Sequence, residues 1–248
     1  FLAAEVALLR TADGRVNNVV VEGMDETADT STSTFAQEYG VTTYLMQKTS
    51  KCPTAGEMHP AEARANISGA LFRSCGQRGW ATRGCINVGP QQHEGRSRFD
   101  WETHGVRVTI RQTTISDGFN AGIQLDRVHD VELEGNVVYN VQRFGIKVEG
   151  QRNRVLGNLV VHVSDSFDKN NVGLQTPSWD GRWSSGMVHC YGLHHTGRGG
   201  LVSGNIFAGS QGMAALSDGY ECGANPTIAD NTAHSALVGL FYEERYTG

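Results

Sequence analysis

Gly135-Asn136-Val137-Val138 returns as Gly157-Asn158-Leu159-Val160 and as Gly204-Asn205-Ile206-Phe207, with a weaker copy at Asp230-Asn231-Thr232-Ala233. The four asparagines are separated by 22, 47 and 26 residues, and the middle interval reads as two turns of about 23. A period in this range marks a solenoid, in which each unit buries against its neighbours an apolar face that it cannot bury alone. Laying Val108-Thr109-Ile110 over Val131-Glu132-Leu133, a shift of 23, brings Ile115 onto Val138, Gly122-Ile123 onto Gly145-Ile146 and Leu125 onto Val148. The next turn, from Val155 to Val160, follows at a shift of 22. Apolar residues alternate within each turn (Val108, Ile110; Val131, Leu133; Ile146, Val148), so each short strand has an inner and an outer side. Asp117-Gly118, Glu149-Gly150 and Gly157-Asn158 supply the turn chemistry expected between strands. The fold expected is all-β: a right-handed parallel β-helix with turns of about 22–26 residues and long loop excursions, filling residues 1–248 as one domain.

An asparagine repeated at one turn position stacks on its copies amide to amide, at the strand spacing of about 4.8 Å. Asn136, Asn158, Asn205 and Asn231 are therefore expected to form a structural ladder rather than a ligand site. Val16 to Val21 and Ala65 to Phe72 read as strands of earlier turns. Asp25 to Thr34, Gln91 to Arg98 and Asp165 to Gly186 read as loops, and long excursions from a solenoid gather where function is often placed. No amphipathic helix of convincing length is visible.

Glycine is abundant, 31 of 248 residues, while proline numbers 5 and charged residues make up 19%. Without a Gly-X-Y period this is not collagen, and an apolar content of 39% argues against disorder. A net charge of −5 and the lack of a basic tract give no electrostatic reason for nucleic acid or an anionic membrane as partner. No stretch approaches the length of apolar sequence that a membrane helix needs. The chain starts at Phe1 without an initiator methionine or an apolar signal core, so it is expected to be a piece of a larger protein.

Cys52, Cys75, Cys85, Cys190 and Cys222 fit no CxxC spacing. They read either as small buried apolar residues or as an oxidised set with one or two bridges, Cys75–Cys85 being the nearest pair. Asn66-Ile67-Ser68 is a glycosylation sequon, compatible with secretion and with modification at Asn66.

Asp100, Glu102, Asp117 and Asp126 fall within about one and a half turns, and carboxylates on successive turns can face each other across a groove. Glycan hydrolases use such pairs as acid and base, whereas lyases add a basic residue, for which Arg96, Arg98, Arg107 and Arg111 are near. The competing reading is solvated turn residues. Trp179, Trp183 and Tyr191 offer either a sugar-stacking surface or a cap over an exposed flank. The nine histidines show no metal spacing, His194-His195 cannot both face one way in a strand, and neither metal nor cofactor is expected.

Ala4-Glu5-Val6-Ala7-Leu8-Leu9 resembles the Ala-Glu-Val-Gly-Leu-Leu strand of fibrocystin and fibrocystin-like proteins, an arrangement shared with the cell-migration-inducing and transmembrane hyaluronidases. Ile67 to Gly79 is similar to that family's next repeat. Gly204-Asn205-Ile206-Phe207-Ala208-Gly209-Ser210 and Asp230-Asn231-Thr232-Ala233-His234-Ser235 resemble its later signatures, in the same order. The resemblance implies a parallel β-helix in the extracellular part of a large cell-surface or secreted glycoprotein, including one of the ciliary membrane. Many members carry Tyr-Pro-(Val or Ile)-His-Phe-His before the regular repeats and a His-His pair one turn later. Here Arg98-Phe99-Asp100-Trp101-Glu102 and Ser116-Asp117 stand at those places. The expectation is thus a non-catalytic structural, adhesive or assembly segment whose partners are other protein chains or glycans. The rival is a polysaccharide-cleaving enzyme acting through Asp100, Glu102 and Asp117, or a glycan-binding module.

Overall fold

The computed structural model describes residues 5–9, 18–23, 40–45, 50–51, 58–59, 64–77, 83–89, 107–164, 190–219 and 226–244 of the chain. They form a right-handed parallel β-helix whose walls are sheets of six, eight and seven strands. One coil is laid down as Arg107–Arg111 in the six-stranded sheet, Thr114–Ser116 in the eight-stranded and Ile123–Leu125 in the seven-stranded. Glu132–Glu134, Val137–Gln142 and Phe144–Gln151 repeat the circuit directly above. Leu133 pairs with Ile110, Val138 with Ile115, Ile146 with Ile123 and Val148 with Leu125, the register given by the 23-residue shift. Among the described residues there is no helix.

The interior is a set of apolar columns. Ile110, Leu133, Val155 and Val202 stack along one wall, and Ile115, Val138, Val160 and Phe207 along the next, all buried. Each buried side chain of this size is worth about 1.5–3 kcal/mol relative to exposure, and each is shielded by its copies in adjacent coils. His195 occupies an inner position in the column of Leu125, Val148 and Ser217, whereas His194 points outward.

The corner between the six- and eight-stranded sheets explains the recurring Gly-Asn. Gly135, Gly157 and Gly204 take φ of 60°, 59° and 67°, the left-handed region that glycine enters without steric cost. The asparagine that follows turns inward. Asn136 Nδ2 donates to Asn158 Oδ1 (2.9 Å), Asn158 Nδ2 to Asn205 Oδ1 (2.9 Å) and Asn205 Nδ2 to Asn231 Oδ1 (2.8 Å). Each of these oxygens also accepts the main-chain N–H of the preceding asparagine. The other amide hydrogen of each goes to a main-chain carbonyl: Ile110, Leu133, Val155 and Val202 respectively. Thr113 starts the column by donating its N–H to Asn136 Oδ1 at 3.0 Å. The three buried amides, Asn136, Asn158 and Asn205, are thus satisfied by their own repeats.

Three sequence expectations need correction. The 47-residue interval is one coil, because Asn158 bonds Asn205 directly; the surplus, residues 165–189, falls between Leu159–Ser164 and Tyr191–Arg198. Glu149-Gly150 is no turn but lies inside Phe144–Gln151, paired with Tyr191–Arg198. Glycine is required there by close approach, since a Cβ on Gly150 would sit 1.9 Å from the Val128 carbonyl oxygen. Ala65 to Phe72 is two strands in different walls, Arg64–Ser68 and Leu71–Arg73, with a corner at Gly69.

At the other end, Glu5–Leu9 pairs antiparallel with Asn18–Glu22, the next strand of the eight-stranded sheet. Cys75 and Cys85, both fully buried, are joined by a disulfide with Cα atoms 4.9 Å apart. It ties the exit of Leu71–Arg73 to the entry of Ile86–Val88 in one coil. Cys190 is also buried, its carbonyl accepting from Ser210 Oγ at 3.3 Å. Cys52 and Cys222 lie outside the described residues.

Candidate functional site

On the outer side of the seven-stranded sheet, Gln124 lies beside Lys147 in register, which sets Asp126 next to Glu149 one step along. Asp126 Oδ1 receives Arg127 Nε at 3.3 Å, and Lys147 Nζ stands 3.6 Å from Glu149 Oε2. Burial raises the Asp126 carboxyl above its ordinary pKa and the Glu149 charge adds to this; Arg127 and Lys147 oppose it. Gln124 faces outward yet is only 3% exposed, and among the described residues its Oε1 meets no hydrogen-bond donor. Beside this group Phe144, Tyr191 and His194 lie with nearly parallel rings, centroids 5.1–5.6 Å apart. The Arg143 guanidinium sits 5.3 Å from the Phe144 ring centre. Two carboxylates, two cations and an amide beside a ring cluster can exchange hydrogen bonds with a hydroxyl-rich ligand. A carboxyl held above its usual range next to a second carboxylate is also an acid–base arrangement.

Of the residues singled out from sequence, Tyr191 belongs to this surface, packed against Phe144 and His194. Asp117 does not. It precedes the strand Ile123–Leu125 that Asp126 follows, takes φ of 54° at an exposed corner, and accepts from Asn140 Nδ2 at 2.7 Å. Asp117 therefore acts as a turn residue, and the neighbour of Asp126 is Glu149. Asp100, Glu102, Trp179 and Trp183 lie outside the described residues. Asn66 is exposed on the outer side of Arg64–Ser68, opposite Thr109. No group of three or more potential metal ligands exists among the described residues.

The other two walls differ in character. The six-stranded sheet carries an outer mesh of ion pairs: Arg111 with Glu132 and Glu134, Arg154 with Glu132, and Arg152 bidentate on Asp130. Its hydrogen bond with Arg111 holds Glu132 below the usual carboxylate range, and Arg152 does the same for Asp130. In the eight-stranded sheet the strands Val137–Gln142, Leu159–Ser164 and Ile206–Ala208 carry apolar residues outside as well as inside. Val137, Leu159 and Ile206 form one outer row, and Tyr139, Val161 and Ala208 the next; Tyr139 is 47% and Ile206 42% exposed. The sequence signal for this strip is the unbroken Val137-Val138-Tyr139, Leu159-Val160-Val161 and Ile206-Phe207-Ala208, where half-buried strands would alternate.

Residues 101–182 match the family described as right handed beta helix region. Mus musculus fibrocystin is 27% identical over 137 residues, which is 55% of this chain and 3% of that protein. Over that stretch the chain is similar to fibrocystin. Fibrocystin-L of Mus musculus is 23% identical over 201 residues and that of Homo sapiens 24% over 195, covering 76% and 74% of this chain. The chain spans 4% of the length of each fibrocystin-L. No solved structure matches it.

Proposed function

We propose that this β-helix is a non-catalytic extracellular segment of a large fibrocystin-like cell-surface or secreted protein, working in structure, adhesion or assembly. The observation that carries the reading is the unbroken amide column from Thr113 to Asn231, running between two walls of matched strands. Such a column resists bending and shear, which suits a spacer that holds flat outer faces toward other protein chains or glycans. The exposed Asn66 sequon fits a secreted glycoprotein, and the ciliary membrane is one setting for it. The test is sedimentation and surface-binding of the purified chain, run beside incubation with hyaluronan and pectin-like polymers. Binding or assembly without loss of polymer length is the expected result. Depolymerisation abolished by Asp100→Asn, Glu102→Gln or Asp126→Asn would overturn it.

A second reading, polysaccharide cleavage, is favoured by one feature: the raised Asp126 carboxyl beside Glu149. It requires turnover that fails in both Asp126→Asn and Glu149→Gln.

A further inference from the structure

We propose that His129 is an acid-sensitive clasp between two coils, closed while its imidazole is neutral and released when the ring takes up a proton. The inference goes beyond the structural role proposed above and does not depend on which partner the outer faces meet.

At the corner between the seven- and six-stranded walls, residues 128–131 lie against residues 149–154 of the next coil. The Val128 N–H reaches the Glu149 carbonyl and the Asp130 N–H the Gln151 carbonyl, both at 3.1 Å. Side chains complete the seam. The Gln151 N–H donates to His129 Nδ1 at 2.9 Å. Asn153 Oδ1 accepts the Val131 N–H at 3.0 Å, and Asn153 Nδ2 donates to the Val128 carbonyl at 2.9 Å. The asparagine amide does not titrate, whereas an imidazole changes charge between about pH 5 and 8.

A main-chain N–H can only donate, so Nδ1 must offer its lone pair and the ring proton must sit on Nε2. A second proton would land on Nδ1, facing the N–H bound there, and the bond would be lost. The ring is 7% exposed, so burial also works against the charged form. The charged groups at this corner do not offset that cost. Asp130, the next residue, is engaged on both oxygens by Arg152, at 2.8 and 2.7 Å. Arg107, on the coil below, adds a further positive charge beside Asp130. Asp126 has Arg127 at 3.3 Å, and Glu149 has Lys147 at 3.6 Å. Each carboxylate already has its own cation.

An opened chain binds the proton at the ordinary imidazole pKa of about 6.5, whereas the closed clasp binds it only by breaking. The contribution of the clasp is therefore complete above that value and lost as pH falls through it. With the proton confined to the open form, local opening should rise about 30-fold between pH 7.5 and 5. The asparagine column at the corner between the six- and eight-stranded walls has no titrating member and stays shut. Acid thus releases one corner of the coil. Gln151 lies two residues beyond Glu149, so the release ties the Asp126–Glu149 surface to pH.

Native-state hydrogen exchange of the 248-residue chain tests this, read at the Gln151 amide near pH 7.5 and pH 5 and corrected for the intrinsic rate at each. The Asn136 amide, held by Asn158 Oδ1, is the reference. Protection at Gln151 should fall about 30-fold while that at Asn136 changes less than about threefold. His129→Asn puts an oxygen where Nδ1 stands, on a side chain that does not titrate, and should remove the pH dependence at Gln151. Unchanged protection in the parent overturns the proposal. So does a fall shared equally by Asn136, or one that persists in His129→Asn. In those cases another group titrates, such as His195, which is buried in the core with Nδ1 on the Gly197 N–H. The ring nitrogen resonances of the parent decide the same point without a variant. A neutral Nε2–H ring wherever the Gln151 amide stays protected is expected, and a protonated ring beside a protected amide overturns the clasp.

Discussion

Replacing Asn158 by alanine removes one rung from the middle of the amide column. The side chain makes four hydrogen bonds: it accepts the N–H and Nδ2 of Asn136, at 3.0 and 2.9 Å, and donates to the Leu133 carbonyl and Asn205 Oδ1, at 3.0 and 2.9 Å. The residue is 1% exposed, so water cannot replace these partners without opening the coil. At about 1 kcal/mol net per bond, with an added penalty for the orphaned Asn136 N–H, the loss should be about 3–5 kcal/mol. That is a large share of the roughly 5–15 kcal/mol by which domains are stable. Asn231→Ala is the internal control. It deletes the same chemistry at the open end, where the residue is partly exposed and water can substitute, so about 1–2 kcal/mol is expected. Urea unfolding followed by circular dichroism and by tryptophan fluorescence would measure both, with coincident transitions and unchanged slopes licensing the comparison. Equal losses in the two variants, or a loss below about 1 kcal/mol for Asn158→Ala, would refute buried satisfaction as the source of the column's strength.

Gly150→Ala should abolish folding, because its Cβ would lie 1.9 Å from the Val128 carbonyl; Gly157→Ala, at φ of 59° with open space around it, should cost about 1–2 kcal/mol. Soluble yield and thermal midpoint separate the two. Reducing the Cys75–Cys85 bridge, or replacing both with serine, should lower stability by about 2–3 kcal/mol for so short a loop, read by denaturation with and without reductant. Acid should act with opposite signs on two walls. Glu132 is depressed by its hydrogen bond to Arg111, so its contribution is present at neutral pH and lost as pH falls through its native pKa; Glu132→Gln flattens that decline. Asp126 is raised by burial, so the folded chain binds its proton more tightly than the unfolded chain. Its penalty at neutral pH therefore shrinks in acid, and Asp126→Asn should gain most over the parent at pH 7 and least near pH 4, by urea midpoints at the two values.

The coil spacing was legible because the inner residues of successive turns must coincide, and Val108, Ile110, Ile115, Ile123 and Leu125 each find their copy at one constant shift. The asparagine column was legible for the same reason. Thr113 was not, since it holds the first rung through its backbone N–H and carries no amide to mark the place. The interval between Asn158 and Asn205 misled because length alone does not tell two coils from one coil with an insertion. Only the bond between the two amides decides it. The Asp126–Glu149 neighbourhood was hidden by the treatment of Glu149-Gly150 as a turn. An outward residue at the same shift of 23 as its neighbour was the available signal.

The insertion of residues 165–189 leaves the pairing of Leu159 with Ile206 and of Ile146 with Leu193 intact. Vertical alignment in this molecule is set by bonds between floors and is indifferent to how far the chain wanders between rooms. The number of residues between Ser164 and Cys190 is therefore free to change over evolutionary time, or at an engineer's hand, while the frame on either side stays fixed.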